Sequence, residues 1–277
     1  MPELPEVEVI RLGIAPYLKG QTVKGVSIRA TRLRWPIPLH LAKTLREQPI
    51  QDISRRGKYL IFHFSSGWLM IHLGMSGNLR IMDSLESNPY LFDKHDHIDW
   101  HFNHCVLRYR DPRRFGAVIW HSREIGDINQ HPLLNALGVE PMTSLFSGKY
   151  FYQATRRRIA AIKQILLSGK IVVGVGNIYA SEALFKAKIH PQTVAQQISL
   201  KRYEKLAQAI RDILADAIHC GGSSLRDFTD SKGKAGYFQT TYFVYGRTNL
   251  PCRICNTPIQ QIKQQQRSSF FCPKCQK

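Results

Sequence analysis

Apolar positions along the chain follow a helical period, then a strand period, then a helical period again. Val7, Ile10, Ile14 and Leu18 recur at three- and four-residue spacing, which predicts a helix over 3–19 closed by Gly20. Gly13 and Pro16 lie inside that span and argue for a kink or an early end. From about 21 to 120 the signal is of strands. Residues 58–64 and 68–73 flank a Ser65-Ser66-Gly67 turn as a hairpin, and further strands are predicted over 78–82, 97–102, 105–110 and 115–120. Short strands at close spacing predict an antiparallel sandwich or barrel. Residues 83–94 read as a polar loop and 121–150 as a connection broken by Pro132, Gly138 and Pro141.

Beyond 150 the helical period returns. Ile159, Ile162, Ile165 and Leu166 form an apolar stripe under Arg156, Arg157, Arg158 and Lys163. A second helix is predicted over 177–188. A third follows Ser199, with Leu200, Tyr203, Leu206, Ile210, Leu214 and Ile218 as its buried face and Gly221-Gly222 as its end. A Ser/Asp/Lys/Gly-rich stretch, 223–240, reads as a functional loop. The predicted class is α+β with two domains. An N-terminal antiparallel β-sandwich carrying an N-terminal helix (1–134) is followed by a linker (135–150), a helical domain (151–240) and a cysteine hairpin (241–277).

Charge changes this picture. The net charge is +19. Residues 1–150 hold 19 Lys/Arg against 14 Asp/Glu, and residues 151–277 hold 20 against 6. An excess concentrated in one half favours a polyanion, and nucleic acid over an anionic membrane because the basic residues do not fall on one amphipathic helix. No apolar run reaches membrane-spanning length and no signal peptide is evident, so a cytoplasmic protein is expected.

Four of the six cysteines form Cys252-x2-Cys255 and Cys272-x2-Cys275. Two such knuckles fit a tetrahedral four-thiolate zinc site. With every ligand a thiol, no position is left open for catalysis, so the zinc is structural, and its hairpin carries Lys263 and Arg267. No catalytic metal or organic cofactor is expected.

Other stretches admit two readings each. Removal of Met1 would leave Pro2 with a secondary amine beside Glu3, an arrangement suited to Schiff-base chemistry with a carboxylate to move protons. Glu3, Glu6 and Glu8 equally suit the first turn of a helix. Val173-Gly174-Val175-Gly176-Asn177 lacks the third glycine of a dinucleotide loop; it is either a phosphate-binding turn capped by Asn177 or a plain turn between helices. Lys58 reads as a sugar- or phosphate-facing group or an exposed strand end. The glycine-flanked turns 72–77 and 111–116 present Met75 and Phe115, beside Arg113, either as wedges for an opened base stack or as ordinary core residues.

Taken together, the motifs resemble the bacterial formamidopyrimidine-DNA glycosylase family over the whole chain. They are the Pro2-Glu3-Leu4-Pro5-Glu6 start, Arg56-Gly57-Lys58-Tyr59, His72-Leu-Gly-Met75, Lys94-His95-Asp96-His97, Asp111-Pro-Arg113-Arg114-Phe115-Gly116, Gly176-Asn177-Ile178-Tyr179, Gly221-Gly222-Ser223 and the cysteine finger. The resemblance implies a helix–two-turn–helix domain beside the sandwich and finger, with DNA in the cleft between. It implies Pro2 as nucleophile at the sugar C1′, Glu3 as general acid/base, Lys58 as proton donor for β-elimination and Arg267 for δ-elimination. His95, Arg113 and Arg158 match DNA contacts and Asn177 a phosphate contact; His72 and Lys263 complete the DNA-binding set. Met75, Arg113 and Phe115 match the residues that fill the void left by a flipped base, and 223–240 the loop that closes over that base. The implied partner is double-stranded DNA carrying oxidised purines or abasic sites, bound by a monomer at the nucleoid. Asn256 and Gln266 stand where many or some members have glycine.

Two competing readings remain distinct. An endonuclease VIII-like preference for oxidised pyrimidines is disfavoured by Leu4, where that branch usually has glycine. A non-catalytic zinc-dependent DNA binder accounts for the charge and the finger but gives Pro2 and Glu3 no role.

Overall fold

A capping box joining Glu3 and Glu6 starts the first helix, α1 (Leu4–Leu18), and Gly20 turns the chain away at φ +81°. Pro16 sits in the last turn and does not end the helix. Leu4, Val7, Ile10, Ile14 and Leu18 are fully buried, each worth roughly 1.5–3 kcal/mol over an exposed position. The computed structural model describes residues 2–83, 91–223 and 241–277. Most of the expected polar loop and nearly all of the expected 223–240 loop lie outside them.

Contacts divide the described chain into two units, residues 2–135 with 220–223, and residues 136–219 with 241–277. In the first unit the strands are β1 (Gly25–Ile28), β2 (Asp52–Arg56), β3 (Tyr59–His63), β4 (Gly67–His72), β5 (Asn78–Asp83), β6 (Asp96–His101), β7 (Cys105–Arg110) and β8 (Ala117–Ser122), with short helices α2 (Leu41–Leu45) and α3 (Pro132–Asn135). They form two four-stranded sheets, ordered β1-β6-β7-β5 and β2-β3-β4-β8, antiparallel throughout. The inner faces share one core that includes Phe62, Leu69 and Val118 from one sheet and Leu79, Trp100 and Tyr109 from the other, sealed by the apolar face of α1. The last strand starts two residues later than its pattern suggested, which leaves Phe115 in the preceding turn.

The second unit contains α4 (Gly148–Thr155), α5 (Ile162–Ser168), α6 (Asn177–Lys186), α7 (Leu200–His219) and the hairpin β9 (Gln260–Gln264)–β10 (Arg267–Phe271). Ser147 Oγ caps α4 by accepting the Tyr150 N–H at 3.1 Å. Phe151 of α4 packs on Phe146 and Tyr203, tying it to α7. The stripe expected over 156–166 is divided. Residues 156–161 are not helical, and Ile159 is 79% exposed. The segment is held instead by Arg158 N–H to Thr155 O, Gln196 N–H to Arg158 O and Ala195 N–H to Ala160 O. Residues 138 and 139 are not a slack connection either: Val139 bridges Val172 in parallel, and a Cβ on Gly138 would come within 2.3 Å of the Ile171 backbone.

Candidate active site

Pro2 and Glu3 lie at the mouth of α1, and Glu3 is buried. Its backbone N–H is held by Glu6 Oε2 at 2.8 Å, while Glu6 Oε1 accepts the Ser223 N–H at 2.8 Å. One buried carboxylate thus ties the first residues to the chain just ahead of the 224–240 segment. Glu6 was legible only as a first-turn acid; its second partner lies 217 residues away and leaves no local signal.

Lys58 follows Gly57 (φ +57°) in the tight turn between β2 and β3. That turn is joined to α1 by one arginine. Arg55 Nε donates to Glu8 Oε2 at 2.7 Å, and another Arg55 nitrogen donates to Gly57 O at 2.9 Å. Arg11 also donates to Glu8, at 2.6 Å. Burial opposes the Glu8 charge, but these guanidinium bonds win and hold its carboxyl below its ordinary range.

Met75 and Phe115, at 36% and 46% exposure, are large apolar side chains on turns and not core. The Arg113 guanidinium lies over the Phe115 ring at 4.9 Å. His95 is half-buried on the neighbouring 93–97 turn. His72 packs against Tyr59 with the rings tilted by 56°, and its Nδ1 accepts the Gly74 N–H at 3.0 Å. Burial, reinforced by the Lys58 and Arg34 charges, lowers its pKa to about 4. The ring is therefore neutral at pH 7 with its proton on Nε2, so any phosphate contact it makes is through a neutral N–H.

In the second unit, Arg158, Lys263 and Arg267 are exposed. Two expectations are corrected here. Gly176, not Asn177, is the N-cap of α6; Asn177 is the first helical residue, and its Nδ2 donates to Ser268 O at 3.0 Å. Lys163 is not on a basic face: it is 1% exposed and donates to the same Ser268 O at 3.0 Å and to Ser269 Oγ at 2.8 Å. Two helices therefore grip the residue next to Arg267. Glu182, also buried, accepts the N–H groups of Phe243, Val244 and Tyr245 at 2.8–3.0 Å, and burial pushes its pKa up despite those bonds. Neither buried charge was legible in sequence, because a charged letter does not report its depth.

At the finger, the Sγ atoms of Cys252, Cys255, Cys272 and Cys275 all lie within 4.8 Å of one another. Zn–S bonds of about 2.3 Å in a tetrahedron require S···S edges of about 3.8 Å. The observed 3.4 Å and 4.0 Å contacts bracket that value. Four thiols this close cannot all ionise without a cation between them, and the site fits one structural zinc. Asn256 and Gln266, the two positions where glycine is often found, adopt left-handed backbone at φ +60° and +64°. Asn accepts that region readily, whereas Gln265 and Gln266 together make the tight turn that starts β10 at Arg267.

Fold and site define a class: a two-unit protein with a carboxylate-anchored N-terminus, an antiparallel sandwich and a basic helical unit bearing a four-thiolate finger. Comparison narrows it. The chain matches the formamidopyrimidine-DNA glycosylase N-terminal domain over residues 1–118, the H2TH domain of the same enzymes over 137–229, and the zinc finger found in FPG and IleRS over 249–277. It is 58% identical over 277 residues to the formamidopyrimidine-DNA glycosylase of Paraburkholderia phytofirmans, covering 100% of both chains. Among solved structures it resembles a Lactococcus lactis FPG variant in complex with Fapy-dG-containing DNA (TM-score 0.90, 36% identity, 100% of each chain). It also resembles the Lactococcus lactis Fpg bound to abasic-site DNA (TM-score 0.89, 36% identity, 99% of each chain). The chain belongs to the formamidopyrimidine-DNA glycosylase family.

Proposed function

We propose that the protein is a bifunctional DNA glycosylase/AP lyase of base-excision repair, acting in the cytoplasm on duplex DNA that carries oxidised purines such as 8-oxoguanine and formamidopyrimidines. Full-length identity of 58% to a glycosylase of this kind supports the activity, and the DNA bound by the related structures supports the substrate class. The observation that carries the residue roles is the buried Glu3 beside Pro2, at a helix mouth held by Glu6.

The Pro2 amine attacks C1′ and the base leaves with the glycosidic electron pair. Opening of the sugar ring gives an iminium between Pro2 and C1′, and Glu3 moves the protons these steps require. Loss of a 2′ proton then expels the 3′ phosphate, and the second elimination expels the 5′ phosphate. Lys58 and Arg267 serve as proton donors in the two eliminations. His95, Arg113, Arg158, Asn177, His72 and Lys263 contact the DNA backbone, and Met75, Arg113 and Phe115 fill the space left by the extruded base. Extrusion costs a few kcal/mol of lost stacking, which exposed side chains on fixed turns are suited to offset.

Excision from duplexes containing 8-oxoguanine or thymine glycol tests the substrate. The proposal expects the purine lesion to be released faster under single-turnover conditions. Preferential release of thymine glycol would favour the endonuclease VIII-like reading, and binding without release of either base would favour a non-catalytic DNA binder.

A further inference from the structure

Asp111 is fully buried in the turn that follows β7. Its Oδ1 accepts the Ser76 hydroxyl at 2.7 Å. Its Oδ2 accepts the Gly116 N–H at 2.8 Å and the Tyr109 hydroxyl at 3.2 Å. Ser76 Oγ in turn accepts the Arg113 N–H at 3.1 Å. The Asp111 backbone extends the set: its N–H donates to His95 O at 3.0 Å, and its carbonyl accepts His97 Nε2–H at 2.8 Å and the Arg114 N–H at 3.2 Å.

Three turns, each from a different strand end, therefore meet on this residue. They are the turns that carry Met75, His95, and Arg113 with Phe115. Two glycines let them close. A Cβ on Gly74 (φ +63°) would come within 2.4 Å of the Phe115 and Gly116 backbone, and one on Gly116 within 1.8 Å of the Tyr109 hydroxyl. Burial and the adjacent Asp111 raise the Tyr109 pKa well above 10, so its hydroxyl remains a donor. The result is a rigid buried polar frame under an exposed apolar tip. An exposed methionine or phenylalanine on a free loop would collapse onto the nearest apolar surface; here the backbone on both sides of each is fixed.

We propose that Asp111, acting through Ser76, is a positioning residue that holds Met75, Arg113, Phe115 and His95 as one wedge, so that opening the base stack depends on it and bond breaking does not. The inference rests on the glycosylase reading above. It predicts a defect that follows the substrate. A lesion stacked in an intact duplex must be opened, whereas a preformed abasic site in a single strand has no stack to open.

The test compares Ser76→Ala and Asp111→Asn with wild-type holoenzyme on three substrates: 8-oxoguanine opposite cytosine in duplex, 8-oxoguanine opposite an abasic site, and a single-stranded oligonucleotide with a preformed abasic site. Ser76→Ala removes only the link between the two turns and guards against misfolding of the Asp111 variant. The expected result for Ser76→Ala is a loss of about tenfold or more in single-turnover excision from the intact duplex, corresponding to about one ordinary hydrogen bond or more lost from the opening step. The defect shrinks where the stack is already weakened, and single-stranded cleavage changes by less than about twofold. Equal losses on all three substrates, or full activity on the intact duplex, would overturn the inference alone. Wild-type protein inert on every substrate would overturn the glycosylase reading and this inference with it.

Discussion

The two units hold their functional side chains by different physical means. In the first, α1 and both sheets share one large apolar core, and carboxylates work at its edge: buried Glu6 on the N-terminus, half-buried Glu8 through Arg55 on the Lys58 turn, buried Asp111 on the wedge turns. In the second, the core beneath the finger is small, built on Phe185, Val244, Ile259 and Phe270. Four thiolates and the buried Lys163 supply what that core lacks. A hairpin of this size cannot bury enough apolar surface to stay folded alone, so a metal and a borrowed helix stand in for a core. The first unit should therefore be vulnerable to acid and the second to chelation.

The largest expected effect is on the metal. A strong chelator, or Cys272→Ser, removes up to about 10 kcal/mol of metal-linked folding free energy from the finger. Calorimetry should show the finger transition lost and DNA affinity reduced, with the transition of the first unit within a few degrees of its original position. Parallel loss of both transitions would contradict the division of labour.

Acid separates the units the other way. His72 has a folded pKa of about 4 against an ordinary 6.5, so between those values the unfolded chain binds a proton that the folded chain does not. Its contribution to stability is complete above pH 6.5 and falls by about 1.4 kcal/mol per pH unit as pH drops toward 4. His72→Gln should flatten that slope for the first unit, measured by denaturant titration at several pH values. An unchanged slope would place the acid sensitivity elsewhere.

Smaller effects probe single links. Lys163→Met keeps the packing but removes two hydrogen bonds to β10, and should lower finger stability by about 2 kcal/mol and slow the second elimination more than base release. Glu8→Gln weakens the Arg55 tie to the Lys58 turn by about 1 kcal/mol. It should reduce β-elimination at abasic sites about fivefold while leaving DNA binding unaltered. Equal losses of binding and cleavage in the Glu8 variant would assign Arg55 a general structural role.

Much of this was legible in sequence. The period of Val7, Ile10, Ile14 and Leu18, the strand-forming runs and single turn of 58–73, and the cysteine spacing each encode local geometry, and each predicted its element. What was not legible is long-range or depth-dependent. Lys163 reads as part of a basic face and Glu182 carries no signal at all, because their partners, Ser268 and residues 243–245, lie far along the chain. The break over 156–161 has no glycine or proline to announce it, since tertiary bonds from residues 195 and 196 impose it. The left-handed Gln265 and Gln266 likewise defy the usual glycine signal. Asp111 was visible only as part of a motif whose prominent letters are Arg113 and Phe115, although those side chains owe their placement to it.

The central claim is that the Pro2 amine is the nucleophile, and borohydride trapping tests it most directly. Protein with Met1 removed, reacted with an 8-oxoguanine duplex under borohydride and mapped by mass spectrometry, should carry DNA covalently on the peptide beginning at Pro2. Protein retaining Met1 should bind the same duplex and give no adduct. An adduct that forms on the blocked protein, or that maps to Lys58, would contradict the account.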